Sequence, residues 1–175
     1  GDGDVVIALP SSGVHANGFS LVRRIAAEAG LDWAAPAPFA PEMTLGAALL
    51  TPTRIYVRPV RAALPQIKAL AHITGGGLTE NLPRVLPDGL AAEIDLAALK
   101  PQAVFGWLAR AGVSDAEMLR TFNCGVGMSV IVAEAEAQQV LDALRGEGEA
   151  PYLIGQLTPR TDAPIRFTGE IAWST

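Results

Sequence analysis

His15 and His72 are the only histidines in the chain, and each stands where an apolar run breaks into a glycine-containing loop followed by a helix-like pattern. Imidazole titrates near neutral pH, so such a residue can shuttle a proton or, when protonated, stabilise a phosphate or a developing oxyanion. The second loop is the sharper of the two. Leu70-Ala71-His72-Ile73-Thr74 reads as the end of a buried strand, Gly75-Gly76-Gly77 as a flexible turn, and Leu78-Thr79-Glu80-Asn81-Leu82 as the start of a helix. Without Cβ atoms, three successive glycines let the backbone take positive φ and approach a ligand closely. Their N–H groups, with Thr74 beside them and a helix N-terminus behind, suit an anion such as phosphate.

The glycine loops fail the strict nucleotide patterns. Gly13 and Gly18 have P-loop spacing, but Phe19-Ser20 stands where Lys-Ser/Thr would bind phosphate and magnesium. Glu80 and Val130 occupy the positions of the last dinucleotide glycine after Gly75-Gly76-Gly77 and Gly125-Val126-Gly127, so neither is a Rossmann fingerprint. Each histidine also reads as a structural residue bonded to its own loop. Arg54 suits bidentate phosphate or carboxylate contacts, the alternative being an ion pair with one of the 18 acidic residues. Asn17, Asn81 and Asn123 are candidates to orient a ligand or to cap backbone. Two histidines and one distant cysteine lack zinc-ligand spacing, so no metal site is expected. Cys124 reads as a small buried hydrophobe.

Composition sets the frame for these loops. At 175 residues, 50% hydrophobic and 18% charged, the chain suits a single packed globular domain. A net charge of -5 with scattered Lys and Arg argues against a nucleic-acid surface. No apolar run approaches a membrane span, and a single cysteine suits a reducing compartment, the cytoplasm by default. The start at Gly1-Asp2-Gly3-Asp4, without an initiator Met, suggests a domain of a longer protein or a processed chain, with a compact core over about 4–172.

The elements that must carry the loops follow from periodicity. Strands are expected at Val5 to Leu9, Thr53 to Val57, about Ala69 to Ile73, Leu90 to Ile94, Met128 to Ala133, Tyr152 to Leu157 and Ile165 to Ile171. Helices are expected from about Gly18 to Ala29 with Gly30 as C′ glycine, at Leu45 to Leu50, after Pro59, at Leu78 to Val85 where Pro83 implies a kink or a short helix, at Ala103 to Arg110, at Ser114 to Arg120 with a capping box, and at Glu136 to Arg145. Asp32 to Met43, with Pro36, Pro38 and Pro41, reads as a long extended loop. The alternation implies a mixed sheet with helices packed on it.

Four strings carry a resemblance. Leu9-Pro10-Ser11-Ser12-Gly13-Val14-His15-Ala16-Asn17-Gly18-Phe19-Ser20-Leu21-Val22-Arg23, Leu50-Thr51-Pro52-Thr53-Arg54-Ile55-Tyr56-Val57, His72 through Pro87, and Arg120-Thr121-Phe122-Asn123-Cys124-Gly125-Val126-Gly127-Met128 occur in this order. Together they resemble the C-terminal domain of the phosphoribosylformylglycinamidine cyclo-ligase (aminoimidazole ribonucleotide synthetase) family. Ala16 departs from the small hydroxyl residue usual there, and Phe19 from a common tyrosine. The resemblance implies an α+β (mixed α/β) layered sandwich, partly ferredoxin-like, and an ATP-dependent ligase of purine biosynthesis. That activity closes the imidazole ring of formylglycinamidine ribonucleotide with release of ADP and phosphate. It further implies that ATP and Mg2+ bind mainly to an N-terminal domain that 1–175 does not include, that the complete enzyme is a homodimer, and that this domain alone is inactive. The residues carried over are His15 and His72 as catalytic groups, with Ser11, Ser12, Asn17, Arg54, Thr74, Gly75, Gly76, Gly77, Asn81 and Asn123 for substrate or phosphate. Related ATP-dependent enzymes of the selenophosphate synthetase, thiamine-monophosphate kinase or hydrogenase maturation type are alternatives, which the Ser-Ser-Gly-x-His-x-Asn-Gly run disfavours. A non-catalytic module binding a phosphorylated metabolite is another.

Overall fold

A computed structural model describes residues 1–174. Its centre is strand β1 (Val5–Pro10). Residues alternate across a strand, and here both faces of β1 are apolar. Val6 and Ala8 enter one core, whereas Ile7 and Leu9 enter a second core on the opposite face. In chain order follow α1 (Phe19–Glu28), a short hairpin of β2 (Pro36–Ala37) and β3 (Ala40–Thr44), α2 (Leu45–Leu49), α3 (Val57–Ala63), β4 (Ile67–His72), α4 (Gly77–Asn81), β5 (Leu90–Asp95), α5 (Ala103–Arg110), α6 (Asp115–Thr121), β6 (Val126–Val132), α7 (Ala137–Gly146), β7 (Tyr152–Pro159) and β8 (Ile165–Thr168). The six-stranded sheet runs β4-β6-β1-β7-β5-β8 and is antiparallel except for the β5/β8 pair. It is a mixed sheet packed with helices, as expected. The larger core joins the sheet to α1, α5 and α6 through Val22, Ile25, Phe105, Leu108, Met118 and Phe122. The smaller sets Val130 and Val132 against Val60 of α3 and Val140, Leu141 and Leu144 of α7.

Local signals fix several boundaries. Gly30, at φ 64, ends α1 as the C′ residue, with Leu31 N–H on Ala26 O and Gly30 N–H on Ala27 O. The Ser114 hydroxyl caps α6 by accepting from Glu117 N–H. Three expectations are corrected. Thr53 to Val57 is no strand: the segment is irregular to Tyr56 and helical from Val57. Tyr56 is instead anchored to Pro10 O and Arg54 to Glu149, and strand propensity yields to such tertiary neighbours. Residues 32–43 are not wholly a loop, because Pro36 and Ala37 pair with β3. For the helix expected from Leu78 to Val85 only the C-terminal bound changes: it is short, as Pro83 implied, ending at Asn81, and Pro83–Val85 forms a separate 3-10 turn. Proline at that point removes a helical hydrogen bond and crowds the preceding turn.

Candidate functional site

The first loop, residues 10–18, leaves the C-terminal end of β1, while the glycine loop, residues 73–77, leaves the end of β4. Both strands pair antiparallel with β6, so the two loops emerge at the same end of the sheet. They meet: the His15 and His72 ring centroids are 6.4 Å apart. A Cβ on Gly75 would lie 3.9 Å from the Asn17 amide oxygen. Tyr56 completes a triangle, its ring 6.4 Å from His15 and 6.2 Å from His72. His15 is buried, whereas His72 and Gly75 are exposed.

The first loop is braced from several sides. The Ser11 hydroxyl donates to Gln102 Oε1 at 3.1 Å, and Gln102 Nε2 donates to Ser11 O at 2.8 Å. The Ser12 hydroxyl donates to Pro52 O at 2.7 Å, and its N–H to His15 Nε2 at 3.0 Å. Asn123 is fully buried; it donates to Gly13 O at 2.8 Å and accepts from Gly125 N–H at 2.9 Å. Asn123 therefore ties the first loop to the turn before β6, and its amide has little left for a ligand. His15 itself sits at φ 55, a left-handed conformation uncommon for a residue with a side chain. Burial, with the neighbouring His72 second, pulls its pKa from 6.5 down to about 4.

The glycine loop is organised from within. Asn81 Nδ2 donates to the carbonyls of Thr74, Gly75 and Gly77, and its oxygen accepts from the Thr74 hydroxyl at 3.2 Å. Asn81 and Thr74 thus act as braces of the turn. Gly77, at φ 56, is required by both conformation and space: a Cβ there would lie 2.0 Å from Leu119 O. No side chain caps α4 at Gly76. Among the described residues the N–H groups of Gly75 and Gly76 have no backbone acceptor. They form an open pair of donors beside His72. With only five residues, α4 adds less dipole than the longer helix expected from sequence.

Arg54 lies at the far side of Tyr56. Its Nε donates to Glu149 Oε1 at 3.2 Å, and its second nitrogen is 3.1 Å from Oε2. Gly148 ends α7 at φ 84 and leaves the buried Glu149 facing this guanidinium. The ion-pair alternative for Arg54 is what the structure contains. Tyr56, Gly127, Gln102 and Glu149 were not singled out from sequence. The Tyr56 hydroxyl donates to Pro10 O at 2.7 Å, and burial raises its pKa. A Cβ on Gly127 would lie 1.8 Å from that hydroxyl and 2.9 Å from His15 Cε1. The glycine in β6 is what lets Tyr56 and His15 close together. A tyrosine in a proline-flanked polar segment was the available signal. Cys124 is buried with its thiol directed to Met118 O, and burial, with Asp115 second, pushes its pKa up, away from nucleophile chemistry.

Among the described residues no three His, Cys, Asp or Glu side chains gather with metal-holding geometry. Nor is any helix among the described residues long and apolar enough to cross a membrane. A recess of about 240 Å³, lined by Gly13, Val14, Phe39, Leu49 and Val104 among others, adjoins the first loop.

Comparison with known proteins places this arrangement. The fold is shared with thiamine-monophosphate kinase from Stenotrophomonas maltophilia K279a, at TM-score 0.64 and 16% identity over 98% of this chain and 52% of that one. It is shared with the hydrogenase maturation protein HypE of E. coli, at TM-score 0.57 and 26% identity over 97% of this chain and 47% of that one. It also matches T. maritima PurL, whose structure contains ADP, at TM-score 0.51 and 14% identity over 97% of this chain and 23% of that one. The chain thus spans about half of the first two proteins or less, and under a quarter of the third. Residues 1–166 match the family described as AIR synthase related protein, C-terminal domain, and the chain belongs to that family.

Proposed function

We propose that the chain is the substrate-side domain of an ATP-dependent phosphoribosylformylglycinamidine cyclo-ligase. The observation that carries this reading is the convergence of the two histidine loops: His15 and His72 lie 6.4 Å apart, beside the open N–H groups of Gly75 and Gly76. Paired backbone donors hold a phosphate or a developing oxyanion, and an exposed imidazole at their edge can exchange a proton with the activated oxygen. The motif strings in both loops resemble the cyclo-ligase family, and they distinguish this reading from its relatives. Asn17, at the contact between the loops, orients the bound group, whereas Ser11, Ser12, Thr74, Asn81 and Asn123 hold the two loops in shape. ATP and Mg2+ belong to an N-terminal domain of the same enzyme, which supplies the transferred phosphoryl group. The complete enzyme works as a homodimer in the cytoplasm.

A thiamine-monophosphate kinase-like activity is the second reading, favoured by the 0.64 TM-score to that enzyme. The test joins this domain to an N-terminal domain of the family and measures ADP release with formylglycinamidine ribonucleotide and with thiamine monophosphate. Turnover with the first alone is expected, falling at least about a hundredfold in His72→Ala. Turnover with thiamine monophosphate alone overturns the cyclo-ligase reading, and wild-type rates in His72→Ala overturn the role of that residue.

A further inference from the structure

One group in the three-ring cluster is left unsatisfied by the scaffold. His15 is 4% exposed, and its Nε2 accepts the Ser12 N–H at 3.0 Å. A backbone N–H only donates, so Nε2 must present its lone pair, and the proton of the neutral ring must sit on Nδ1. Nδ1 is buried and has no hydrogen-bond partner among the described residues. Buried donors are seldom left unpaired. This one belongs to a ring that forms a triangle with His72 and Tyr56, where the first loop meets the glycine loop.

We propose that His15 is a tautomer-locked hydrogen-bond donor that offers Nδ1–H to an oxyanion of a phosphoryl group, and that the proton exchange falls to His72. The inference rests on the anion-site reading given above and divides the work of its two histidines. The lock is geometric. Protonating Nε2 would set it against the Ser12 N–H, a hydrogen bond the loop would have to lose. The backbone of the loop is held independently by Asn123 on Gly13 O and by Asn17 N–H on Val14 O. The titratable groups facing the ring are His72 at the end of β4 and Tyr56 ahead of α3, with the Arg54–Glu149 pair beyond Tyr56. Gly127 of β6 adds none. No carboxylate hydrogen-bonds the ring among the described residues, so nothing there favours an imidazolium. Burial, and after it the neighbouring His72, lower the basicity of His15 further.

Nitrogen-15 correlation spectra of the histidine rings in the 175-residue chain test the lock directly, with inorganic phosphate as the probe. At pH 7 the expected His15 pattern is a neutral ring with Nδ1 protonated and Nε2 not, and added phosphate moves the Nδ1 resonance together with the Gly75 and Gly76 amides. An Nε2-protonated ring or an imidazolium at pH 7 overturns the proposal. So does a phosphate response confined to the glycine amides. If phosphate moves neither, the anion-site reading fails with its acceptor, while the lock still stands or falls on the tautomer. His15→Asn provides a second readout, since Asn tolerates the left-handed backbone and restores an N–H. It should keep phosphate affinity within about threefold, whereas His15→Leu should weaken it about tenfold or more. Equal losses in the two variants would show that the donor is not what phosphate recognises. If His15→Leu does not fold, the wild-type spectrum alone decides.

Discussion

The two loops that meet at the candidate site are built on opposite principles. In the first, two side chains and a carbonyl are tied to distant parts of the scaffold: the Ser11 hydroxyl to Gln102, the Ser12 hydroxyl to Pro52 O, and Gly13 O to the Asn123 amide. In the glycine loop one long-range bond, Ile73 N–H on Gly127 O, anchors the start, and the turn beyond it is tied locally by Asn81 four to seven residues away, with the Gly75 and Gly76 N–H groups left open. One loop is rigid because the whole fold holds it; the other is rigid because one side chain fills it from inside. The contrast assigns a buried, fixed histidine to the first loop and an exposed one, beside free donors, to the second.

The sharpest way to break the comparison is Gly77→Ala. A Cβ at that position would meet Leu119 O at 2.0 Å and Phe122 O at 2.8 Å, with φ at 56. Backbone atoms of α6 cannot yield as a flexible side-chain tip would, so a loss of about 3 to 4 kcal/mol is expected in chemical denaturation. A loss under about 1 kcal/mol would mean that the glycine is there for the ligand rather than the fold. Asn81→Leu comes next. It removes the amide that bonds three carbonyls and the Thr74 hydroxyl, leaving Thr74 O only the Gly77 N–H, at a cost of about 3 kcal/mol. Amide exchange should then accelerate at Gly77, whose N–H is bonded to Thr74 O, and stay unchanged at Ser12. Equal acceleration in both loops would contradict their separate bracing.

These sequence separations explain what could be read in advance. Six of the seven expected strands, the apolar stripe and Gly30 stop of α1, and the Ser114 cap are short-range patterns, and each is present in the fold. Both histidines and the glycine turn were legible for the same reason. Tyr56, Gln102 and Glu149 were not. Their roles come from contacts to Pro10 across 46 positions, to Ser11 across 91 and to Arg54 across 95. No local periodicity encodes such pairings. The strand expected at Thr53 to Val57 failed in the same way, because the tertiary anchors of Tyr56 and Arg54 override a local β preference.

The acid limb of stability separates the loops by charge. His15 has an ordinary pKa of 6.5 when unfolded and about 4 when folded. Between those values the unfolded state binds the extra proton, so stability falls as pH drops through that window and no penalty exists above it. The expected loss is about 2 kcal/mol by pH 4, taking the burial of the ring into account. His15→Asn should flatten this limb. An unchanged limb in that variant would place the acid sensitivity elsewhere in the chain.

The smallest effect concerns the pair behind Tyr56. The Arg54 side chain is 38% exposed and Glu149 5%, so solvent weakens the attraction while Glu149 still needs a partner. A double-mutant cycle of Arg54→Met and Glu149→Leu should give a coupling of about 1 kcal/mol. Stability alone does not tell whether this pair serves the first loop. Tyr56 does: its hydroxyl holds Pro10 O and its ring flanks His15. If the pair positions Tyr56, Arg54→Met also shifts the His15 ring resonances and leaves those of Gly75 and Gly76 in place. A shift of the glycine amides instead would mean that Arg54 acts on the open loop, and the division between a scaffold-held and a self-held loop would have to be redrawn.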